Sequence, residues 1–159
     1  MMVFAKWLLA LKIALIANIT LADQGQEFQR LLETRACHGC ALSGLNIGQY
    51  DLKNVDLSGA DLSKAYLVNT NFHGANLNST DLTGAYMNGA RLSGVLLVGT
   101  NFGKAELELA DFSEAIFEDV DFSEAYLLHA VITEKQLQAA RLCRTVMPDA
   151  SRSNRDCEN

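Results

Sequence analysis

A single proline, Pro148, stands in a chain of 159 residues, and charged residues make up 20% against 49% hydrophobic. That composition belongs neither to a proline-rich spacer nor to a charge-driven disordered chain, so most of the protein is expected to be ordered. Basic residues are scarce: 13 Lys and Arg face 19 Asp and Glu, for a net charge of −6. General nucleic-acid binders displace counterions with Lys and Arg, and this chain has few to offer. Its three histidines, His38, His73 and His129, lie far apart, and no Gly-Lys-Ser or Gly-Lys-Thr occurs. Neither a histidine-based catalytic cluster nor a phosphate-binding loop is legible, and no enzyme, cofactor or metal is expected.

The ordinary periods are missing as well. A helix repeats its apolar face at about 3.6 residues and a half-buried strand alternates at two. Here a large apolar residue recurs at every fifth position, from Leu42, Ile47 and Leu52 through Leu82, Met87 and Leu92 to Phe122, Leu127 and Ile132, nineteen times without a slip. Two residues before most of these centres sits a small residue, such as Ala60, Ala65, Ala75, Ala85 or Ala90, and the residue between is often Asp or Asn. A unit of Ala-(Asp/Asn)-Leu-x-x places the centre and the small residue inward and the residue between them outward. Glycine recurs two positions after the centre, at Gly44, Gly59, Gly74, Gly84 and Gly89 among others, where a corner needs a permissive backbone.

From Ala41 to about Thr133 this pattern closely resembles the pentapeptide-repeat family. The resemblance implies an all-β solenoid, a right-handed quadrilateral β-helix in which four pentapeptides make a coil of about 20 residues and coils stack at about 4.8 Å. The first side would then stack Leu42, Leu62, Leu82, Phe102 and Phe122, and the second Ile47, Leu67, Met87, Leu107 and Leu127. The third would stack Leu52, Phe72, Leu92, Phe112 and Ile132, and the fourth Leu57, Leu77, Leu97 and Phe117. All of these are expected to be core.

The open ends of such a rod would expose strand edges unless covered. Gln24 to Ala36 reads as a helix with Phe28, Leu31, Leu32 and Ala36 on one face. Glu134 to Leu142 reads as a second, with Leu137, Ala140 and the stem of Arg141 toward the rod. The ending from Gln136 to Asp149 also resembles the terminal segment of exported bacterial and cyanobacterial pentapeptide proteins. At the other end, Lys6 precedes the apolar stretch Trp7–Ala17, and Thr20-Leu21-Ala22 precedes a polar run, the pattern of a cleavable export signal. Its removal takes Lys6 and Lys12 and no acid, moving the charge from −6 to −8. The expected organisation is a signal at 1–22, an N-terminal helical cap at 23–40, the repeat β-helix at 41–133 and a C-terminal helical cap with its tail at 134–159.

Four cysteines lie at the ends. In an exported chain Cys143 with Cys157 would close a loop of about 15 residues and tie down the tail. Cys37 and Cys40 have the redox CxxC spacing, but no βαβ pattern surrounds them, and a structural disulfide or a buried thiol is the expected state. His38 between them leaves a metal or redox module as a further alternative.

Composition and repeat together point to an exported, non-catalytic scaffold in the periplasm, thylakoid lumen or exterior, binding a protein partner or itself. No membrane contact is expected after signal cleavage. The alternative is an acidic DNA mimic acting on an enzyme such as gyrase. It draws on Glu106, Glu108, Asp111, Glu114, Glu118, Asp119, Asp121 and Glu124, which lie in a stretch without a base. Most outward columns are polar, but Leu96, Val98 and Ile116 form an apolar exception on the fourth side, and Tyr66 with Tyr86 an aromatic one on the second. These five are the candidate contact residues.

Overall fold

The structure is a computed structural model, which describes residues 24–157. Parallel backbone bridges join residues twenty apart along nearly its whole length, among them Ala41↔Asp61, Asn46↔Tyr66, Asp51↔Asn71 and Asp56↔Asn76. These four rows lie five residues apart, so each coil meets the next once on each of four sides. The hydrogen bonds obey one rule: Leu42 N–H donates forward to Asp61 O at 2.8 Å, and Asp61 N–H donates back to Cys40 O at 2.8 Å. Each coil therefore bonds only to its neighbours, as in other solenoids.

The pentapeptide unit has a physical reason at every position. The centres are buried, with Leu62, Leu82, Phe102 and Phe122 of the first side at 0% exposure. Each such side chain contributes about 1.5–3 kcal/mol relative to leaving it in water. Asp or Asn before the centre accepts from the backbone two residues on, as when Ser63 N–H donates to Asp61 Oδ1 at 2.9 Å and Ser113 N–H to Asp111 Oδ1 at 2.9 Å. This Asx turn bends the chain toward the corner. The corner residue is left-handed whether or not it is glycine, with φ +69° at Gly59, +57° at Lys64 and +61° at Glu124.

Where the inward small residue is threonine, its hydroxyl reaches the preceding coil. Thr70, Thr80, Thr100 and Thr145 are buried and donate to Ile47 O, Leu57 O, Leu77 O and Phe122 O at 2.7–3.0 Å. Thr80→Val keeps the shape and removes the donor. It is expected to lower stability by about 1 kcal/mol, read as a shifted urea midpoint at unchanged slope.

In the lower coils phenylalanines replace leucines as centres. Phe102 stacks on Phe122 at 5.1 Å between ring centroids, while Phe112 meets Phe102 and Phe122 edge-on at 5.9 and 5.7 Å. Phe117 and Ile132 are only half-buried, in contrast to the full burial expected of every centre.

The coiled register also runs further than 41–133. Ala36 bridges Asp56, so Cys37 is the buried centre of a preceding unit, and Cys40 fills the buried small position before Leu42. Cysteine is small for a centre, which hides this unit from a search for large apolar residues. At the other end, α2 spans only Glu134–Gln138, because Ala140–Arg141 is already a strand, β4, paired with Val120–Asp121, β3. Arg141 is exposed and pairs with Asp121 in the ladder, in contrast to the inward stem expected of it. Leu137 and Leu142 are buried and Met147 half-buried. The five-residue step thus survives to Met147, with α2 replacing one side of the last coil.

Both ends meet side chains from outside the ladder. Residues 24–34 are helical, α1, with Leu31 in the core and Phe28 edge-on to Tyr50 at 5.1 Å. Gln24 Nε2 donates to Ser43 O at 3.1 Å, Ala41 N–H donates to Glu27 Oε2 at 2.5 Å, and the Arg35 guanidinium donates to Asp51 O and Lys53 O. At the far end Thr145–Val146, β5, pairs antiparallel with Arg152–Ser153, β6. Arg155 donates to Leu137 O and Ala140 O, and Asp156 Oδ2 accepts from Leu142 N–H at 2.8 Å. The hydrogen bond from Arg155, with that from Leu142, holds the Asp156 carboxyl below the usual carboxylate value.

Candidate interaction surface

On the fourth side two units lack the Asx residue: Leu96 and Ile116 stand before the centres Leu97 and Phe117. Here the pairing between coils lengthens from a single bridge to three residues, with Leu96–Val98, β1, parallel to Ile116–Glu118, β2. The register sets Leu96 against Ile116 and Val98 against Glu118. Leu96 is 38% and Ile116 57% exposed, so two aliphatic side chains lie in water on adjacent coils. Val98 is half-buried, less open than its outward position suggested.

An open groove of about 380 Å³ adjoins this pair. One wall is Ile116 and Phe117 with Glu114 and Ala115, and the other is Thr133, Lys135, Gln136 and Ala139 of the α2 region. Gln136 Nε2 donates to Phe112 O and Ala115 O, both at 2.9 Å, which fastens α2 beside β2. The groove also explains why Phe117 is the exposed member of the aromatic cluster.

The tyrosines form a separate feature. Tyr66 and Tyr86 bridge one coil to the next with ring centroids 6.4 Å apart and are 47% and 44% exposed. Glu106 follows in the same column before Tyr126, so the ladder is interrupted. The two candidate surfaces lie half a coil apart and are not brought together. Leu109 and Val131, 61% and 56% exposed, are further open apolar residues that the pattern of outward columns does not reveal. Leu109 sits at a corner and Val131 at the last outward position of its column, and neither has an apolar neighbour above it in sequence register.

The eight acids between 105 and 125 are distributed around the rod. Glu106 and Glu108 fall on the second side, Asp111 and Glu114 on the third, Glu118 and Asp119 on the fourth, and Asp121 and Glu124 on the first. They ring one coil height of about 4.8 Å instead of running along the rod, as duplex phosphates do. Asp111 and Asp121 also use Oδ1 in Asx turns.

At the N-terminal end the sulfurs of Cys37 and Cys40 lie at bonding distance, as do those of Cys143 and Cys157. The Arg30 guanidinium is 2.8 Å from Cys40 Sγ and 3.3 Å from Cys37 Sγ. His38 turns away from both, with Nδ1 2.8 Å from Ser58 Oγ and 3.4 Å from Asp56 Oδ1. Partial burial works to raise the Asp56 carboxyl, but Ser58 and His38 outweigh it and hold it low. Among the described residues no three of His, Cys, Asp and Glu converge to hold a metal, and no helix is long and apolar enough to cross a membrane. The expected signal at 1–22 lies outside the described residues.

The family model for pentapeptide repeats matches residues 51–89 and 90–128, as eight copies. A pentapeptide repeat protein from Nostoc, known from its crystal structure, is 28% identical, with 74% of this chain and 93% of that one covered at a TM-score of 0.50. One from the cyanobacterium Cyanothece is 22% identical over 80% and 97%, with a TM-score of 0.36. One from the thylakoid lumen of Arabidopsis thaliana is 23% identical over 76% and 83%, with a TM-score of 0.32. No protein of curated function matches the sequence.

Proposed function

Because the chain belongs to the pentapeptide-repeat family, we propose that it is an exported, non-catalytic scaffold whose fourth side binds another protein. In this reading the coil is right-handed and quadrilateral, as the family implies. Residues 1–22 are a cleaved signal, and α1 at one end and α2 with its tail at the other are caps that block end-to-end stacking. The hydrogen bonds that Gln24 and Arg35 donate to the first coil and Glu27 accepts from it, with those that Arg155 donates to the last coil and Asp156 accepts from it, support the capping role. Paired sulfurs at both ends suit an oxidising compartment, the periplasm or a thylakoid lumen.

The observation that carries the binding role is the exposed Leu96–Ile116 pair on adjacent coils beside an open groove. The rod gains nothing from placing two aliphatic side chains in water where the earlier units of the same side carry Asp56 and Asn76, and such clusters mark contacts. Leu96→Ser with Ile116→Ser is expected to leave the melting temperature within a few degrees of wild type and to abolish partner recovery in a pull-down from the native compartment. Unchanged recovery with the fold intact removes this side from the function.

A further inference from the structure

The edge of β2 is open, and the coils before it show what it lacks. On the fourth side Leu57 N–H donates to Asn76 O at 2.9 Å and Gly59 N–H to Asn78 O at 2.8 Å. One coil on, Leu77 N–H donates to Leu96 O at 3.0 Å and Ser79 N–H to Val98 O at 2.7 Å. The next corner keeps the rule, with Gly99 N–H to Glu118 O at 2.8 Å. The same rule would send Phe117 N–H to Gln136 O and Asp119 N–H to Gln138 O. Those residues are in α2, where Gln136 O already accepts from Ala139 N–H. Ile116 N–H donates back to Val95 O, so by the alternation of the ladder Phe117 N–H points away from β1, and among the described residues neither it nor Asp119 N–H has an acceptor on that side. Two donors aimed away from β1, one on β2 and one at the corner after it, flanked by exposed Ile116 and half-buried Phe117, form the start of another ladder row.

We propose that this edge accepts an extended segment of the partner protein as an added strand, in the groove between β2 and α2. The inference rests on the fourth side being the contact surface. The segment must supply two carbonyls to Phe117 and Asp119, an apolar side chain to Ile116 and Phe117, and positive charge. The last requirement follows from Glu114 on the groove wall and from the exposed Glu118 and Asp119 on and beside β2, faced at the groove by Lys135, while Glu134 already has Arg155 near it. Main-chain bonds would hold such a segment and alternate side chains would select it. A second copy of this chain is disfavoured, because pairing β2 with its own mate would bring Glu118 and Asp119 toward the same acids.

The test uses the full-length protein and a fluorescent octapeptide of alternating valine and lysine, with the valine–glutamate peptide as control. By anisotropy at low salt the lysine peptide is expected to bind about tenfold more tightly than its control, an advantage that shrinks as salt rises. At saturation the amide exchange of Phe117 and Asp119 is expected to slow about tenfold, while that of Leu77 and Ser79, already paired, stays unchanged. Glu118→Lys with Asp119→Lys should reverse the preference between peptides. Lysine is compatible with the left-handed corner at 119, since Lys64 and Lys104 hold φ of +57° and +60° at equivalent positions. Equal binding of both peptides, or binding that leaves the Phe117 and Asp119 amides unprotected, overturns strand addition. Protection of those amides on concentration alone, with dimer formation, also overturns it in favour of a second copy. If the serine variants of Leu96 and Ile116 lose the partner while the peptide results fail, the contact side stands and only the strand mechanism falls.

Discussion

Leu82→Asp is expected to unfold its coil and leave the protein unable to give a cooperative melt at room temperature. Leu82 is fully buried in the column between Leu62 and Phe102, and the rod interior offers no cation or free donor to an ionised carboxylate there. An unpaired buried charge costs several kcal/mol, a large share of what a domain of this size has in total. Asp81→Ser, one residue away, removes an outward acceptor that Thr83 reaches through N–H at 2.9 Å and Oγ1 at 2.5 Å. Serine can still form a weaker version of that turn, so the loss is expected to stay below about 1 kcal/mol. Circular dichroism melts of the two variants check the contrast; similar shifts would mean that the assignment of inward and outward positions is wrong.

Loss of the Cys143–Cys157 link is expected to give the second-largest effect. The two residues are 14 apart in sequence, and a loop of that size contributes about 3 kcal/mol in the loop-entropy model. Cys143→Ser should therefore lower the melting temperature by roughly 10 °C and reproduce most of the drop caused by reductant. Cys37 and Cys40 are 3 apart, and so short a loop restrains the unfolded chain much less. The antiparallel pair of β5 with β6 should fray first, exposing the last coil that Arg155 and Asp156 now cover. Peptide mapping that linked Cys37 to Cys143 would refute this account.

The middle of the fold was legible because its signal is chemical and local. A centre such as Leu62 must be apolar, Ala60 must be small and Asp61 must accept from Ser63, so the period is written in residue types. The ends were less legible for two reasons. Cys37 and Cys40 fill inward positions with side chains too small to count as centres, and α2 breaks the outward pattern while Leu137, Leu142 and Met147 keep the inward one. The exposed pair Leu96 and Ile116 was readable as a departure from Asp or Asn. The open edge beside it was not. Phe117 N–H lacks an acceptor because residues 134–138 wind as a helix, which the sequence signals, and because Gln136 fastens that helix beside β2 through Phe112 O and Ala115 O, which it does not.

Since every ladder bond joins residues 19 or 21 apart, as Leu42 to Asp61 and Asp61 to Cys40, the molecule tolerates changes of length only in whole turns. Loss of one pentapeptide from the middle would rotate everything after it by a quarter turn, putting the Leu96 row out of line with the Ile116 row. Loss or duplication of four leaves every column intact and moves the two ends by about 4.8 Å. Lineages of such rods can therefore lengthen by copying coils while a contact stripe keeps its compass bearing, and the spacing between two bound partners becomes a heritable, stepwise quantity.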